Sequence, residues 1–210
     1  MNLANKLTIS RMILVVIMVG ISLFTLPGNI PLLPFMDKIP STQFVILIIF
    51  AVAAFTDKLD GYVARSRNEI TVFGKFLDPL ADKILVLSAM ILLVGDGRLP
   101  ALVPIIVAIR EFIVSGYRLV AVENGGEVIA ASFWGKLKTV TQVIAVISAL
   151  LEVNAFGDVF RGTLTGVPLV LNGITMVFMI ISTIATLFSG WDYLKGAKKL
   201  FNKQNERVSK

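Results

Sequence analysis

Four aspartates stand between two strongly apolar segments of this chain: Asp57, Asp60, Asp78 and Asp82. The first two are three residues apart and the last two are four apart, so in helices each pair projects from one face. Carboxylates that converge in a partly dry site repel one another, so a positive charge must lie between them. Aspartate oxygens suit hard divalent cations, Mg²⁺, Mn²⁺ or Ca²⁺, and four carboxylates are enough for two ions that share ligands. The spacing therefore predicts a metal site that takes a phosphorylated substrate.

Small residues accompany the aspartates. Gly61 and Ala64 share the helix face of the first pair, and Gly74 lies one turn before Asp78. Such residues permit close packing between helices in a membrane, and they also let a flat base approach the backbone. The residues themselves leave both interpretations open.

A second candidate set is basic. Arg110 lies about midway in an apolar segment with Glu111 beside it, where its charge cannot easily reach water. An interior arginine needs an anionic partner, which can be Glu111, an aspartate or a substrate phosphate. Arg118, Lys136 and Lys138 lie near predicted cytoplasmic helix ends, where basic residues also serve topology. We predict that these four basic residues form a phosphate pocket.

The composition indicates a membrane protein. Of the 210 residues, 56% are hydrophobic and 16% are charged, and the mean hydropathy is +0.83. There is no cysteine and no histidine, which excludes disulfides, thiol chemistry, a histidine base and histidine metal ligands. The net charge of +6 lies along one side of the predicted membrane domain, which argues against nucleic acid as a partner.

The elements that must position these residues are helices. The predicted fold class is all-α: a bundle of six transmembrane helices with an N-terminal interfacial helix at 1–8 and a basic amphipathic cytoplasmic tail at 191–210. A span needs about 20 apolar residues to cross the hydrocarbon layer. The first span begins too late to be a cleaved signal peptide. The predicted spans are approximately 9–27, 41–63, 77–95, 100–121, 137–154 and 169–190.

Charge placement predicts the orientation. The connections at 28–40, 96–99 and 155–168 hold only Lys38, Arg98 and Arg161 as basic residues, and the other basic residues fall at the opposite ends of the spans. The positive-inside rule then places both termini, and the aspartates, on the cytoplasmic side of a multi-pass cell-membrane protein. Trp191 and Tyr193 end the last span, where an aromatic belt is expected.

The aspartate stretch resembles the signature of the CDP-alcohol phosphotransferases and matches it at every position. Further stretches resemble the bacterial phosphatidylglycerophosphate synthases of that family, and the similarity covers roughly residues 2 to 190. The signature reads Asp57-x2-Asp60-Gly61-x2-Ala64-Arg65-x8-Gly74-x3-Asp78-x3-Asp82. The further stretches are Asn5-x2-Thr8-x2-Arg11, Arg110-Glu111-Phe112 and Gly135-Lys136-Leu137-Lys138-Thr139.

The resemblance implies the fold of that family and a reaction. The donor would be CDP-diacylglycerol, CMP the leaving group, and glycerol 3-phosphate the acceptor. Two divalent cations, Mg²⁺ or Mn²⁺, would be held by the four aspartates, and Asp82 would also be the general base. The family also implies a homodimer in the membrane. The nucleotide site implied by the resemblance comprises Asn5, Thr8, Gly61, Ala64, Arg65 and Gly74, and the acceptor-phosphate site comprises Arg110, Arg118, Lys136 and Lys138.

Other functions remain open at this point. Enzymes that use inositol phosphate, serine or a second phosphatidylglycerol as acceptor share the aspartates, and the stretches at 110–112 and 135–139 favour glycerol 3-phosphate. A divalent-cation transporter would carry its acidic residues along a path through the membrane, whereas here they cluster on one side. A purely structural or binding module is disfavoured because buried charge is costly without a function.

Overall fold

The computed structural model describes residues 3–31, 38–67, 72–123 and 133–208. Within these ranges, the backbone alone is described for residues 3–5, 57–67, 72–79, 82, 118–123 and 196–208. Most of the described chain is α-helical, so the predicted helical class is confirmed. The six helices in these ranges are α1 Leu3–Ser22, α2 Ser41–Arg67, α3 Val72–Gly95, α4 Leu102–Glu123, α5 Phe133–Leu150 and α6 Gly166–Val208, with a short 3₁₀ helix at Asp158–Phe160.

The helices overlap the six predicted apolar segments, but the structure supports membrane crossing unequally. Among the described residues, the stretch Gly166–Lys195 is long and apolar enough to span a membrane. Ser41–Thr56 and Lys83–Gly95 are apolar but shorter. The six-span bundle therefore stays a prediction.

Several helix boundaries differ from those expected. Helix α1 is continuous, so residues 3–8 of the expected interfacial segment and most of the first span form one helix. Helix α6 likewise continues past the last span into the basic tail. Helix α3 begins at Val72, before the predicted span at 77–95, and it continues through Pro79. A proline removes one backbone hydrogen bond, and packing against neighbouring helices lets a membrane helix continue through it.

The connection between α1 and α2 contains a small amount of strand, which the sequence did not predict. Residues Asn29–Ile30 (β1) pair antiparallel with Ile39–Pro40 (β2). The Ser41 hydroxyl at the start of α2 donates to the Gly28 carbonyl over 2.9 Å, and Gly28 takes a positive φ of 95°. These contacts tie the connection to the first turn of α2.

The core lies between the six helices. Met18, Phe50, Met90, Leu93 and Met179 are completely buried in it. The outer surface is also apolar, with Val16, Phe112 and many other large hydrophobic residues exposed. An apolar exterior on this scale suits contact with lipid, because soluble monomers rarely expose large contiguous apolar patches.

The turn between α3 and α4 ends α3 as the sequence predicts. Gly97 adopts a φ of 70°, its N–H donates to the Val94 carbonyl over 3.0 Å, and the Arg98 N–H donates to the Leu93 carbonyl over 2.9 Å. This is a Schellman motif, in which a left-handed glycine closes the helix.

Arg98, in the short connection between α3 and α4, is buried. Its Nη1 donates to the Ala149 carbonyl over 2.9 Å and to the Glu152 carbonyl over 2.5 Å. Gln43 donates to the Leu150 and Glu152 carbonyls over 2.7 and 2.6 Å. These two side chains satisfy carbonyl groups that the end of α5 leaves unpaired.

Candidate active site

The aspartates lie on two consecutive helices. Asp57 and Asp60 are in the C-terminal part of α2, and Asp78 and Asp82 are in the N-terminal part of α3. Because only residues 68–71 join the two helices, both pairs belong to the same end of the bundle. Each pair is helical, as its spacing predicted.

The side chains of the four aspartates lie outside the described residues, as do those of Asn5, Ala64, Arg65 and Arg118 and the surroundings of Gly61 and Gly74. Among the side chains that the structure describes, no group of three acidic residues could hold a metal ion. The aspartates are thus the candidate donor set, and their all-oxygen chemistry on adjacent helix ends fits hard divalent cations.

A buried ionic cluster includes Lys83, the residue that follows Asp82, and its centre is the Glu111 carboxylate, which is 6% exposed. The Arg110 Nη1 lies 2.9 Å from Glu111 Oε1. The Lys83 Nζ lies 3.3 Å from Oε2, and the Lys138 Nζ donates to Oε1. Three cations surround one carboxylate, so the net charge of the cluster is +2. We call these four residues the Glu111 cluster.

Three helices build the Glu111 cluster. Lys83 belongs to α3, Arg110 and Glu111 belong to α4, and Lys138 belongs to α5. Lys83 directly follows Asp82, so about 1.5 Å of helix rise separates their backbone positions. The cluster therefore shares helix α3 with the last two aspartates of the candidate metal site.

Helix α6 holds Arg110 from the other side. Arg110 Nη2 donates to the Ser189 hydroxyl, and the guanidinium carbon lies 5.5 Å from the centre of the Tyr193 ring. A Cβ at Gly190 would lie 3.4 Å from Arg110 Cγ. A cation over an aromatic face is stabilised by the ring quadrupole, so Arg110 is fixed on two sides.

Comparison with known proteins agrees with these features. The family model for CDP-alcohol phosphatidyltransferase matches residues 1–188. The chain belongs to this family. It is accordingly an enzyme of the transferase class.

Relatives match the chain over nearly its whole length. A Bacillus subtilis protein named CDP-diacylglycerol–glycerol-3-phosphate 3-phosphatidyltransferase is 40% identical over 193 residues, which cover 91% of this chain and 93% of the relative. A protein of the same name from Haemophilus influenzae is 34% identical over 203 residues, which cover 94% of each chain. Another from Rickettsia bellii is 30% identical over 204 residues, or 95% and 97% of the two chains.

The structure brings together part of the basic set that resemblance to the CDP-alcohol phosphatidyltransferases implies. Arg110 and Lys138 meet at Glu111, whereas Lys136 is exposed. Two positions along a helix turn the side chain by about 200°, so Lys136 and Lys138 project from nearly opposite faces of α5. Thr8, from the implied nucleotide site, is completely buried in α1.

Sequence reasoning missed several residues of this family member's site. Lys83 was interpreted from the sequence only as one of the basic residues that set the membrane orientation. Its place beside Asp82 could have suggested a role in the site. Tyr193 was assigned to the aromatic belt, and that was wrong: it is 3% exposed and packs beneath Arg110, with its ring centre 6.0 Å from that of Tyr117. Trp191 is 58% exposed, as a belt residue would be. No pattern in the sequence predicted a role for Ser115 or Ser189.

Proposed function

We propose that this protein transfers the phosphatidyl group of CDP-diacylglycerol to glycerol 3-phosphate and releases CMP, as a step in phospholipid biosynthesis. The observation that carries the proposal is a relative with that printed activity, 40% identical over 91% of the chain. The Glu111 cluster supports it independently, because a buried site with a net charge of +2 suits a phosphorylated acceptor.

The donor would bind over the ends of α2 and α3. Asp57, Asp60, Asp78 and Asp82 would hold two divalent cations, Mg²⁺ or Mn²⁺, which supply charge neutralisation at the pyrophosphate and at the departing CMP. The nucleotide part would contact Asn5, Thr8, Gly61, Ala64, Arg65 and Gly74. Small residues there leave room for a flat base to approach the backbone.

Asp82 would serve as the general base. It takes the proton of the acceptor hydroxyl while the hydroxyl oxygen forms a bond to the lipid-bearing phosphorus. The bond between that phosphorus and the CMP oxygen breaks, and CMP leaves with the electron pair. Positioning of the two reactants supplies much of the acceleration in such a transfer.

The acceptor phosphate would lie against Arg110 and Lys138. Arg110 has the fork of N–H groups that suits phosphate, and its orientation is set by Ser189 and Tyr193. Arg118 and Lys136 remain predicted members of this site. The side chain of Lys136 is exposed. It would have to turn toward the acceptor phosphate to contact it.

We also propose a multi-pass protein of the cell membrane, with both termini and the active site on the cytoplasmic side, that forms a homodimer. The placement of the basic residues and the apolar exterior support the membrane topology. The family resemblance supports the dimer.

The test is an assay of the purified protein in detergent or nanodiscs with CDP-diacylglycerol, Mg²⁺ and one acceptor at a time. CMP release and phosphatidylglycerophosphate formation are expected with glycerol 3-phosphate. CMP release with inositol phosphate, serine or phosphatidylglycerol instead would assign another acceptor. Cation flux into proteoliposomes without CMP release would favour a transporter.

A further inference from the structure

Glu111 is the one described carboxylate that contacts basic side chains from three helices. Its two oxygens have different partners: Oε1 accepts from Arg110 and Lys138, and Oε2 lies beside Lys83. With a side-chain exposure of 7%, Glu111 is largely shielded from water. A buried carboxylate stays charged only when such partners compensate the cost of removing it from water.

The three cations depend on Glu111 in turn. Lys83, Arg110 and Lys138 would repel one another if the carboxylate between them were neutral, and the repulsion would be strong in a site of low dielectric. Serine hydroxyls contact two of them, Ser115 with Lys83 and Ser189 with Arg110. Hydroxyls carry no charge, so Glu111 alone among these contacts offsets the repulsion.

The cluster keeps a donor for a further anion. Arg110 Nε is buried and has no hydrogen-bond partner among the described residues. An unpaired buried donor is costly, so this N–H would gain from a hydrogen bond to a bound anion. Its neighbour in the same guanidinium, Nη1, is already engaged by Glu111.

The remaining charge matches a phosphate monoester. Such a group carries about −1.5 to −2 at pH 7, and the cluster carries +2 with Glu111 ionised. Glu111 therefore lowers the charge of the basic side chains from +3 to +2. The cluster then still carries enough positive charge to balance the bound ester. The pairing also fixes α3, which carries Asp82, relative to α4 and α5.

We propose that Glu111 is the positioning residue of the acceptor site, and that it assembles Lys83, Arg110 and Lys138 into one pocket for the acceptor's phosphate. Lys83 thereby becomes a member of that site. The inference rests on the proposed function, because it assumes that the acceptor is a phosphate monoester such as glycerol 3-phosphate.

The test compares steady-state kinetics of Glu111→Gln with those of the unaltered protein. Glutamine keeps the shape and removes the charge, so the KM for glycerol 3-phosphate should rise at least about tenfold. The kcat and the KM for CDP-diacylglycerol should change much less. Glu111→Asp, which restores the charge on a shorter side chain, should recover part of the acceptor KM.

Glu152→Gln is the matched control. Glu152 is also a buried glutamate, 4% exposed, but its contact is with Asn172 Nδ2 at 3.0 Å, beyond the other end of α5. Its substitution should leave the acceptor KM unchanged. An equal rise in both variants would overturn the inference, because it would show a general loss of packing.

Two further results would contradict the proposal. An unchanged acceptor KM in Glu111→Gln would remove the positioning role, and a lowered KM would show that Glu111 competes with the acceptor instead. If Glu111→Gln fails to fold, Lys83→Met takes its place, and a normal acceptor KM there would equally refute the pocket. If the unaltered protein releases no CMP with glycerol 3-phosphate, the proposed function itself is overturned. That result differs from one in which only the role of Glu111 fails.

Discussion

The Lys83 ammonium lies 3.3 Å from the Glu111 carboxylate and joins α3 to α4. Lys83 comes directly after Asp82, the last aspartate of the signature, so this ion pair links the helix of the candidate metal ligands to the basic residues. A donor site and an acceptor site must be held at a fixed separation for transfer between them.

Two lysines on α5 offer a matched comparison. Lys138 is buried against Glu111 and Lys136 is exposed on another face of the same helix. Lys138→Met should raise the KM for glycerol 3-phosphate at least about tenfold, because a charge-assisted contact with phosphate is lost. Lys136→Met should cause a smaller rise. The acceptor KM of both variants, measured by CMP release, checks the ranking, and a larger effect at Lys136 would contradict it.

The ring of Tyr193 should matter more than its hydroxyl. Tyr193→Phe keeps the aromatic face 5.5 Å from the Arg110 guanidinium, whereas Tyr193→Ala removes the face and leaves a cavity. The alanine variant should therefore show the larger rise in acceptor KM and a lower melting temperature. Both quantities can be measured on detergent-solubilised protein. Equal effects of the two substitutions would show that the hydroxyl is the important group.

Replacing a carboxylate of the candidate metal site should stop the reaction. Asp57→Asn and Asp78→Asn should each reduce CMP release from CDP-diacylglycerol by at least about 1,000-fold, because an amide cannot supply the negative charge that holds the ions. Chelation with EDTA should abolish the activity of the unaltered protein, and excess Mg²⁺ should restore it. The readout is CMP release with glycerol 3-phosphate.

An exposed aspartate provides the control for that experiment. The side chain of Asp96 is 59% exposed at the other end of α3, where it pairs with Arg98. Asp96→Asn should keep normal activity. Full activity in both Asp57→Asn and Asp78→Asn would end the metal-site proposal.

Much of the fold follows from local sequence patterns. Long apolar segments locate the helices, and spacings of three and four place each aspartate pair on one face. Helix ends were less predictable, because α1 continues through the expected interface boundary and α3 passes through Pro79. A boundary between headgroups and hydrocarbon does not interrupt backbone hydrogen bonding, so a helix does not have to end there.

The Glu111 cluster could not be predicted in the same way. Glu111 lies 28 residues after Lys83 and 27 residues before Lys138, on a different helix from each. Local periodicity gives no information on contacts between helices, so the sequence suggested only that Arg110 needs an anionic partner. Glu111 was one of three candidates for that partner, and the structure identifies it.

The far end of the bundle should affect stability without affecting substrate binding. Arg98 is 9% exposed and donates to carbonyls of Ala149 and Glu152. Arg98→Met would remove the donor of the Ala149 carbonyl and leave the Glu152 carbonyl with Gln43 alone. A buried carbonyl without a donor costs about 1–3 kcal/mol before relaxation. The melting temperature in detergent should therefore fall, while the KM values for both substrates stay the same.

Arg161→Met is the control for Arg98→Met. The side chain of Arg161 is 72% exposed and pairs with Asp158, and exposed ion pairs contribute about 0–1 kcal/mol. Its melting temperature should differ little from that of the unaltered protein. A raised acceptor KM in Arg98→Met would mean that the two ends of the bundle are coupled, because Arg98 and the Glu111 cluster share α5 as a packing partner.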